Sequence, residues 1–274
     1  MWQNIDMPDL TTLSQSSLQD YHDCPRRFEL RYIKDLRWPA LKTENALEFE
    51  ASSIQGQEFH HLIHQHSLGV SAEAIEETIT DSTMRKWWNN YVRWQAENLP
   101  PLRHSELKLT TPLSENRVMA KYDLVARQND ETFVIIDWKT GRPKKREWMQ
   151  RRLQTIVYPY VLWRAGDWLN RGEPISAEKI RLIYWFAEDS STVEFQLNSE
   201  LLNADEERLK ATISEINSRL EFPKTENEKQ CQFCVYRSLC ERGIVAGELE
   251  DLEDDEDVSV GINLNLDEVD EIVF

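Results

Sequence analysis

The stretch Thr132-Phe-Val-Ile-Ile-Asp-Trp-Lys139 decides how this chain is read. Phe133 to Ile136 are four consecutive apolar residues, the pattern of a strand buried on both faces in the middle of a sheet. Gly141 and Pro143 end it. At its end Asp137 and Lys139 are two positions apart, so in a strand their side chains leave the same face. Upstream, Ser105–Leu113 and Arg117–Arg127 alternate and are rich in β-branched residues, which predicts two further strands. Gln128-Asn129-Asp130 predicts the turn into the central one. A hairpin of this kind brings Asp123 beside Asp137 on one face.

Helices are expected on either side of these strands. Ser16–Tyr32 has helical spacing, with Pro25 marking a new start after Cys24. Glu44–His66 predicts a second helix, and Ala72–Glu97 one or two more, broken near Asp81-Ser82. Glu147–Arg164 predicts another, in which Pro159 removes an N–H and predicts a kink or a new turn. Lys179–Ala187 and Val193–Leu197 predict a hairpin. Ser199–Leu220 predicts a long amphipathic helix with Leu202, Leu209, Ile213, Ile216 and Leu220 on its apolar face. The fold class expected is α/β, with a mixed central sheet flanked by helices. Trp87, Trp88, Trp94 and Trp163 read as core; Trp138 and Trp148 read as core too, with stacking on unpaired bases as the alternative.

The 274 residues and 40% hydrophobic content suffice for one large domain. There is no run of eighteen apolar residues, so no membrane span is expected, and Met1–Asp9 lacks the basic and apolar regions of a secretory signal. A cytoplasmic setting is therefore expected, in which four cysteines favour metal ligation over disulfides. The formal net charge is −17, but Gly247–Phe274 holds twelve acids and no base, which leaves the rest of the chain at −5. The expected division is therefore a domain over residues 1–243 and an acidic, disordered tail over 244–274. Against that background, Lys139–Arg152 carries seven bases and one acid. Arg142, Lys144, Lys145, Arg146, Arg151 and Arg152 form a local positive field of the kind that neutralises phosphates, or simply a solvated face.

Two carboxylates and an ammonium on adjacent strands can be no more than a cross-strand ion pair. They are also what phosphodiester hydrolysis requires. Carboxylate oxygens hold Mg2+ or Mn2+, the ion activates water and offsets charge on the phosphate, and a nearby ammonium adds to that stabilisation. Gln154 and Tyr158 stand at i and i+4, one helical face. Cys231, Cys234 and Cys240, spaced C-x2-C-x5-C, together with the distant Cys24, form a set suited to tetrahedral zinc or to a cubane cluster; the spacing does not separate the two. Tying Cys24 to Cys231 would close a loop of about 200 residues, so a structural staple is favoured over redox chemistry.

Taken together, Asp123, Asp137-Trp138-Lys139 and Gln154-x3-Tyr158 resemble the PD-(D/E)XK nuclease superfamily. Within it they resemble the RecB-like branch, which includes CRISPR-adaptation nucleases and iron–sulfur exonucleases. Ser14-x-Ser16-x-Leu18-x2-Tyr21-x2-Cys24-Pro25-x2-Phe28, Gly56-x3-His60 and the cysteine knuckle extend the likeness over residues 13–243. The resemblance implies that His60, Asp123, Asp137 and the Trp138 carbonyl hold Mg or Mn, with His61 as the rival histidine in another helix register. It implies that Asp123, Asp137 and Lys139 are catalytic, that Gln154 and Tyr158 join them by lying beside the site and helping to hold DNA or the lysine in place, and that Cys24, Cys231, Cys234 and Cys240 hold a 4Fe-4S cluster, with zinc as the alternative. Glu106 matches an acid often found in the branch. Ala120 stands where glycine is common, and Asp137 where the wider superfamily often has glutamate. The implied activity is metal-dependent DNA cleavage, exonucleolytic on single strands or ends, in repair, recombination or CRISPR adaptation. A non-catalytic DNA-binding or scaffolding member of the fold is the alternative. The acidic tail, Leu264–Phe274 in particular, is a candidate contact for a protein partner.

Overall fold

The computed structural model describes residues 11–37, 44–129, 131–244 and 247, with the side chains of 44–49 left aside. The acidic tail apart from Ile244 and Gly247, and with it Leu264–Phe274, the Met1–Asp9 segment and Asp130 of the predicted turn lie outside the described residues.

The chain opens with a short strand β1 (Thr12–Ser14), helices α1 (Gln15–Asp23) and α2 (Pro25–Phe28), and a π-helical turn over Glu29–Ile33. Ser14 and Ser17 cap α1 reciprocally, and Pro25 starts α2 at the position where a missing N–H costs nothing. Helices α3 (Glu44–Ser67), α4 (Ala72–Thr78) and α5 (Ser82–Asn98) come next. The break at Asp81 is real: its carboxylate caps α5 by accepting the Met84 N–H. Strands β2 (Leu102–Leu113), β3 (Asn116–Arg127) and β4 (Phe133–Lys139) are succeeded by α6 (Arg146–Arg151) and α7 (Leu153–Ala165). Strands β5 (Ile180–Phe186) and β6 (Thr192–Gln196) and helix α8 (Ser199–Ser218) complete the order.

The six strands form one mixed sheet in the order β1-β3-β4-β5-β6, with β2 also paired to β3. β3 pairs antiparallel with β2 and β4 and parallel with β1, and β4 runs parallel to β5. β2 accompanies β3 along its whole length, so β1 and β4 divide the other edge, β1 at residues 117–119 and β4 at 124–127. Asp123 sits at that fork.

Burial on both sides of the sheet explains the unbroken apolar run in β4. Phe133 and Ile135 pack with Val157, Leu182 and Leu209 in a core shared with α1, α7 and α8. Val134, Ile136 and Trp138 pack with Phe59, Trp88 and Trp185 in a core shared with α3 and α5. Each such buried aliphatic or aromatic side chain contributes about 1.5–3 kcal/mol. The result is an α/β fold with a mixed central sheet flanked by helices, as the sequence predicts.

Three expectations change. Glu147–Arg164 is two helices, because Arg152 is extended (φ −66°, ψ 140°) and the chain turns there. Leu220 is 96% exposed and lies beyond the end of α8, where Arg219 has already left helical geometry. Pro159 begins no new helix: it lies inside α7, which runs on to Ala165, and Tyr122 donates its hydroxyl to the neighbouring Tyr158 carbonyl at 2.9 Å.

Candidate active site

The register fixes the two acids. Leu124 pairs with Ile136, so the next opposed positions on the hairpin are Asp123 and Asp137. The Trp138 N–H donates to Asp123 Oδ2 at 2.9 Å, which holds that carboxylate against the end of β4. On the other side of Asp123, the pairings Ser105–Leu124 and Leu107–Tyr122 leave Glu106 opposite it. Glu106 has φ 52°, unusual within a strand. Face alternation along β3 also switches here. Val118, Ala120 and Tyr122 belong to the core with α7, whereas Leu124 and Ala126 belong to the opposite one. Glu106 itself pairs with Lys121 at 3.0 Å.

α3 supplies His60. Its Nδ1 lies 3.3 Å from Asp123 Oδ1, while His61 is exposed and contacts Gln65 within its own helix. Gly56, one turn earlier, explains how close α3 comes: a Cβ there would stand 3.1 Å from Thr140 Oγ1, just past Lys139. The fold thus brings His60 to the acids and leaves His61 outside.

Asp137 is 2% exposed and tightly held. Lys139 Nζ lies 2.7 Å from its Oδ2, and Gln154 Nε2 donates to its Oδ1 at 2.6 Å. The same carboxamide accepts from Lys139 Nζ at 3.0 Å through Oε1 and donates to the Tyr158 hydroxyl at 3.0 Å. Gln154 and Tyr158 therefore do share one face of α7, and Gln154 links the acid to the lysine.

The electrostatics separate the two acids. Burial pushes the Asp123 carboxyl upward, but His60, the Trp138 N–H and Lys139 outweigh it and hold the group below the carboxylate range. Burial dominates at Asp137; Lys139 opposes it, the Asp123 charge adds to it, and the result is raised. Two acids this close cannot ionise independently. Desolvation lowers the His60 imidazole, yet Asp123 and Asp137 more than reverse that and raise it. Burial, with Asp137 and Asp123 behind it, lifts Tyr158 well above an ordinary phenol. An acidic pair of which one member is buried and the other half-buried has the donor chemistry to hold a divalent cation.

Two further residues belong to the site without any signal in the sequence. Tyr184 of β5 stands in register with Asp137, its ring centroid 5.4 Å from Lys139 Nζ and its hydroxyl 2.7 Å from Thr155 Oγ1. Tyr122 steadies α7 from β3 through the Tyr158 carbonyl. The parallel β4–β5 pairing that delivers Tyr184 crosses some forty residues, and nothing local announces it.

Of the basic run, Arg142, Lys145, Arg146 and Arg151 are exposed and Lys144 is half-buried. Arg146 donates to the Glu194 carbonyl and covers the Phe195 ring. Arg152 turns inward over the Trp148 ring at 4.9 Å, and desolvation lowers its pKa despite Asp23 and Tyr184 nearby. Trp138 is core, in edge contact with Tyr91, Trp94 and Trp185, so the base-stacking alternative fails for it.

The four cysteines are free thiols, and all four line one recess with Arg27 and Tyr236. Burial, with the neighbouring Cys234, Cys24 and Cys240 adding to it, pushes the Cys231 thiol up to about 11. Arg27 is itself buried between Asp20 (2.8 Å) and Asp23 (2.9 Å). Among the described residues, no group of three or more His, Cys, Asp or Glu stands in an arrangement that could hold a metal ion as it is. At the acidic pair, Lys139 and Gln154 contact the Asp137 oxygens and His60 contacts Asp123 Oδ1.

A mixed sheet thus lies between helical layers, with two acids and a lysine gathered where the sheet forks. The chain belongs to the PD-(D/E)XK nuclease superfamily, which matches it over residues 12–241. Among solved structures, it is similar to a "Putative exonuclease" from Eubacterium rectale, at 12% identity and TM-score 0.49 over 80% of this chain and 86% of that one. It is also similar to the structure described as SSO0001, at 14% identity and TM-score 0.42 over 84% and 85%. No curated protein sequence matches it. Among the described residues, no helix is long and apolar enough to cross a membrane.

Proposed function

We propose that this protein is a metal-dependent deoxyribonuclease that trims single-stranded DNA or DNA ends, in repair, recombination or CRISPR adaptation. The observation that carries this reading is the Asp137–Lys139–Gln154 triad of contacts, set against Asp123 and His60. His60, Asp123, Asp137 and the Trp138 carbonyl are the groups that would hold Mg or Mn. When bound, the ion supplies Lewis-acid charge at the phosphate and lowers the pKa of attacking water. Lys139 places an ammonium where negative charge develops as the P–O bond breaks, and Gln154 fixes its direction. Tyr158 and Tyr184 wall the site and exclude water. Arg142, Lys144, Lys145, Arg146 and Arg151 come directly after Lys139 in the chain and draw the DNA backbone in, and Arg152 stands at the inner end of that run.

Cys24, Cys231, Cys234 and Cys240 are proposed to hold a 4Fe-4S cluster, with zinc as the alternative. Their support is the shared recess. Ionised together these thiols would repel, and metal ligation removes that penalty. The domain proposed spans residues 1–243. Residues 244–274 form an acidic appendage open to a protein partner, in a protein proposed to work in the cytoplasm.

The test is cleavage of labelled single-stranded DNA by Asp137→Ala, Lys139→Ala and the double variant with Mg2+ or Mn2+. Both single changes should abolish turnover with folding intact, and the double should be little worse, because the groups act as one unit. Full activity in Lys139→Ala would remove the mechanism. Undiminished DNA binding by a wild-type protein that never cleaves would favour the non-catalytic reading.

A further inference from the structure

The carboxamide of Gln19 lies outside the catalytic constellation, yet its hydrogen bond ends one residue away from it. Gln19 belongs to α1 and is 8% exposed. Its Oε1 accepts the Leu153 N–H at 3.0 Å, and its Nε2 donates to Asp23 Oδ1 at 2.8 Å. Leu153 is the first residue of α7, where an N–H has no partner within the helix. The residue in the cap position, Arg152, provides no side-chain hydrogen bond. Gln19, 134 residues earlier, provides one instead.

The residue after Leu153 is Gln154, whose carboxamide bridges Asp137 and Lys139. The rest of α7 is anchored independently, since Ile156, Val157, Val161 and Leu162 are all buried. Losing the Gln19 bond therefore loosens the first turn and spares the helix body. The first turn is where Gln154 sits.

We propose that Gln19 is a positioning residue for the nuclease reaction, capping α7 from α1 so that Gln154 holds Lys139 against Asp137. The proposal rests on the nuclease reading for its kinetic consequence, but not for the contact itself. Asp23, paired with Arg27 at 2.9 Å, fixes which end of the Gln19 amide faces Leu153. Because Cys24 is the next residue after Asp23, the same side chain also connects the cysteine-bearing segment to the start of α7.

The full-length protein is compared as wild type and Gln19→Met. Amide hydrogen exchange reads the contact without catalysis. In Gln19→Met, exchange at Leu153 and Gln154 should quicken about tenfold or more, while Val157–Leu162 should keep their protection. Cleavage of single-stranded DNA with Mg2+ should show kcat reduced about tenfold and KM changed less than about twofold. Combined with Gln154→Ala, Gln19→Met should add no further loss. Unchanged exchange at Leu153 overturns the proposal, as does protection lost throughout α7, which would make Gln19 a folding residue only. Multiplicative losses in the double variant would overturn it too. A wild-type protein without nuclease activity would defeat the functional reading, and the exchange measurement would still decide the cap.

Discussion

At the scale of single residues, the site is a set of groups whose ionisation each neighbour controls. Gln154 is the clearest case, because its one carboxamide contacts acid, lysine and phenol. Gln154→Leu should keep the fold and lower kcat about ten- to a hundredfold, as removal of a group that orients a charge-stabilising donor does; a rate within about twofold of wild type would show that Lys139 needs no such guide. Away from the site, half-buried Asp205 on α8 has its carboxyl raised to about 6 by desolvation, only partly offset by Arg208. A folded-state pKa above the unfolded value means the folded chain binds more protons between about pH 4 and 6, so stability falls as pH rises through that window. Asp205→Asn should therefore raise stability by about 1 kcal/mol at pH 8, after allowance for solvent screening, and change little at pH 4. Thermal melts of both forms at the two pH values check the sign.

The elements show why some parts of the site are legible in the sequence and others are not. Asp123, Asp137 and Lys139 are legible because a two-strand hairpin obeys a local rule: a short turn dictates opposed positions and period-two faces. Gln154 and Tyr158 are legible because a single helical turn joins them. Tyr184, Tyr122 and Gln19 are not, since each reaches the site through a long-range pairing that no window of sequence contains. The helix break at Arg152 is hidden because apolar spacing continues across it. The cysteine recess is the long-range contact that spacing does suggest, since α2 begins just after Cys24 and the knuckle stands about two hundred residues later. Any one of Cys24→Ala, Cys231→Ala, Cys234→Ala or Cys240→Ala should lower the thermal midpoint by more than about 5 °C, through loss of the proposed metal link between the two segments. Anaerobically purified wild type should absorb broadly near ~400 nm. A colourless protein with one zinc would establish the zinc alternative, and one with neither metal would leave the cysteines as packing residues.

Across the whole molecule, charge is the property that is most unevenly spread. The net −17 would oppose a polyanionic substrate, but twelve of those charges lie after Gly247 and the basic run begins at Lys139. Long-range repulsion scales with the net charge, and it is screened within about 10 Å at 0.1 M salt. An acidic tail also mimics a run of phosphates and can compete for Arg142–Arg151. Both effects act in one direction, so truncation after Gly247 should tighten binding of single-stranded DNA at low ionic strength. Because the effect is electrostatic, the gain should shrink steadily as salt rises, and the salt dependence of the truncated form should be the steeper. Fluorescence anisotropy of a labelled oligonucleotide over a salt series measures this directly. Equal affinity of the two forms at low salt would show that the tail is electrostatically remote from the binding face, and would leave it as a solubility element or the docking segment for a protein partner.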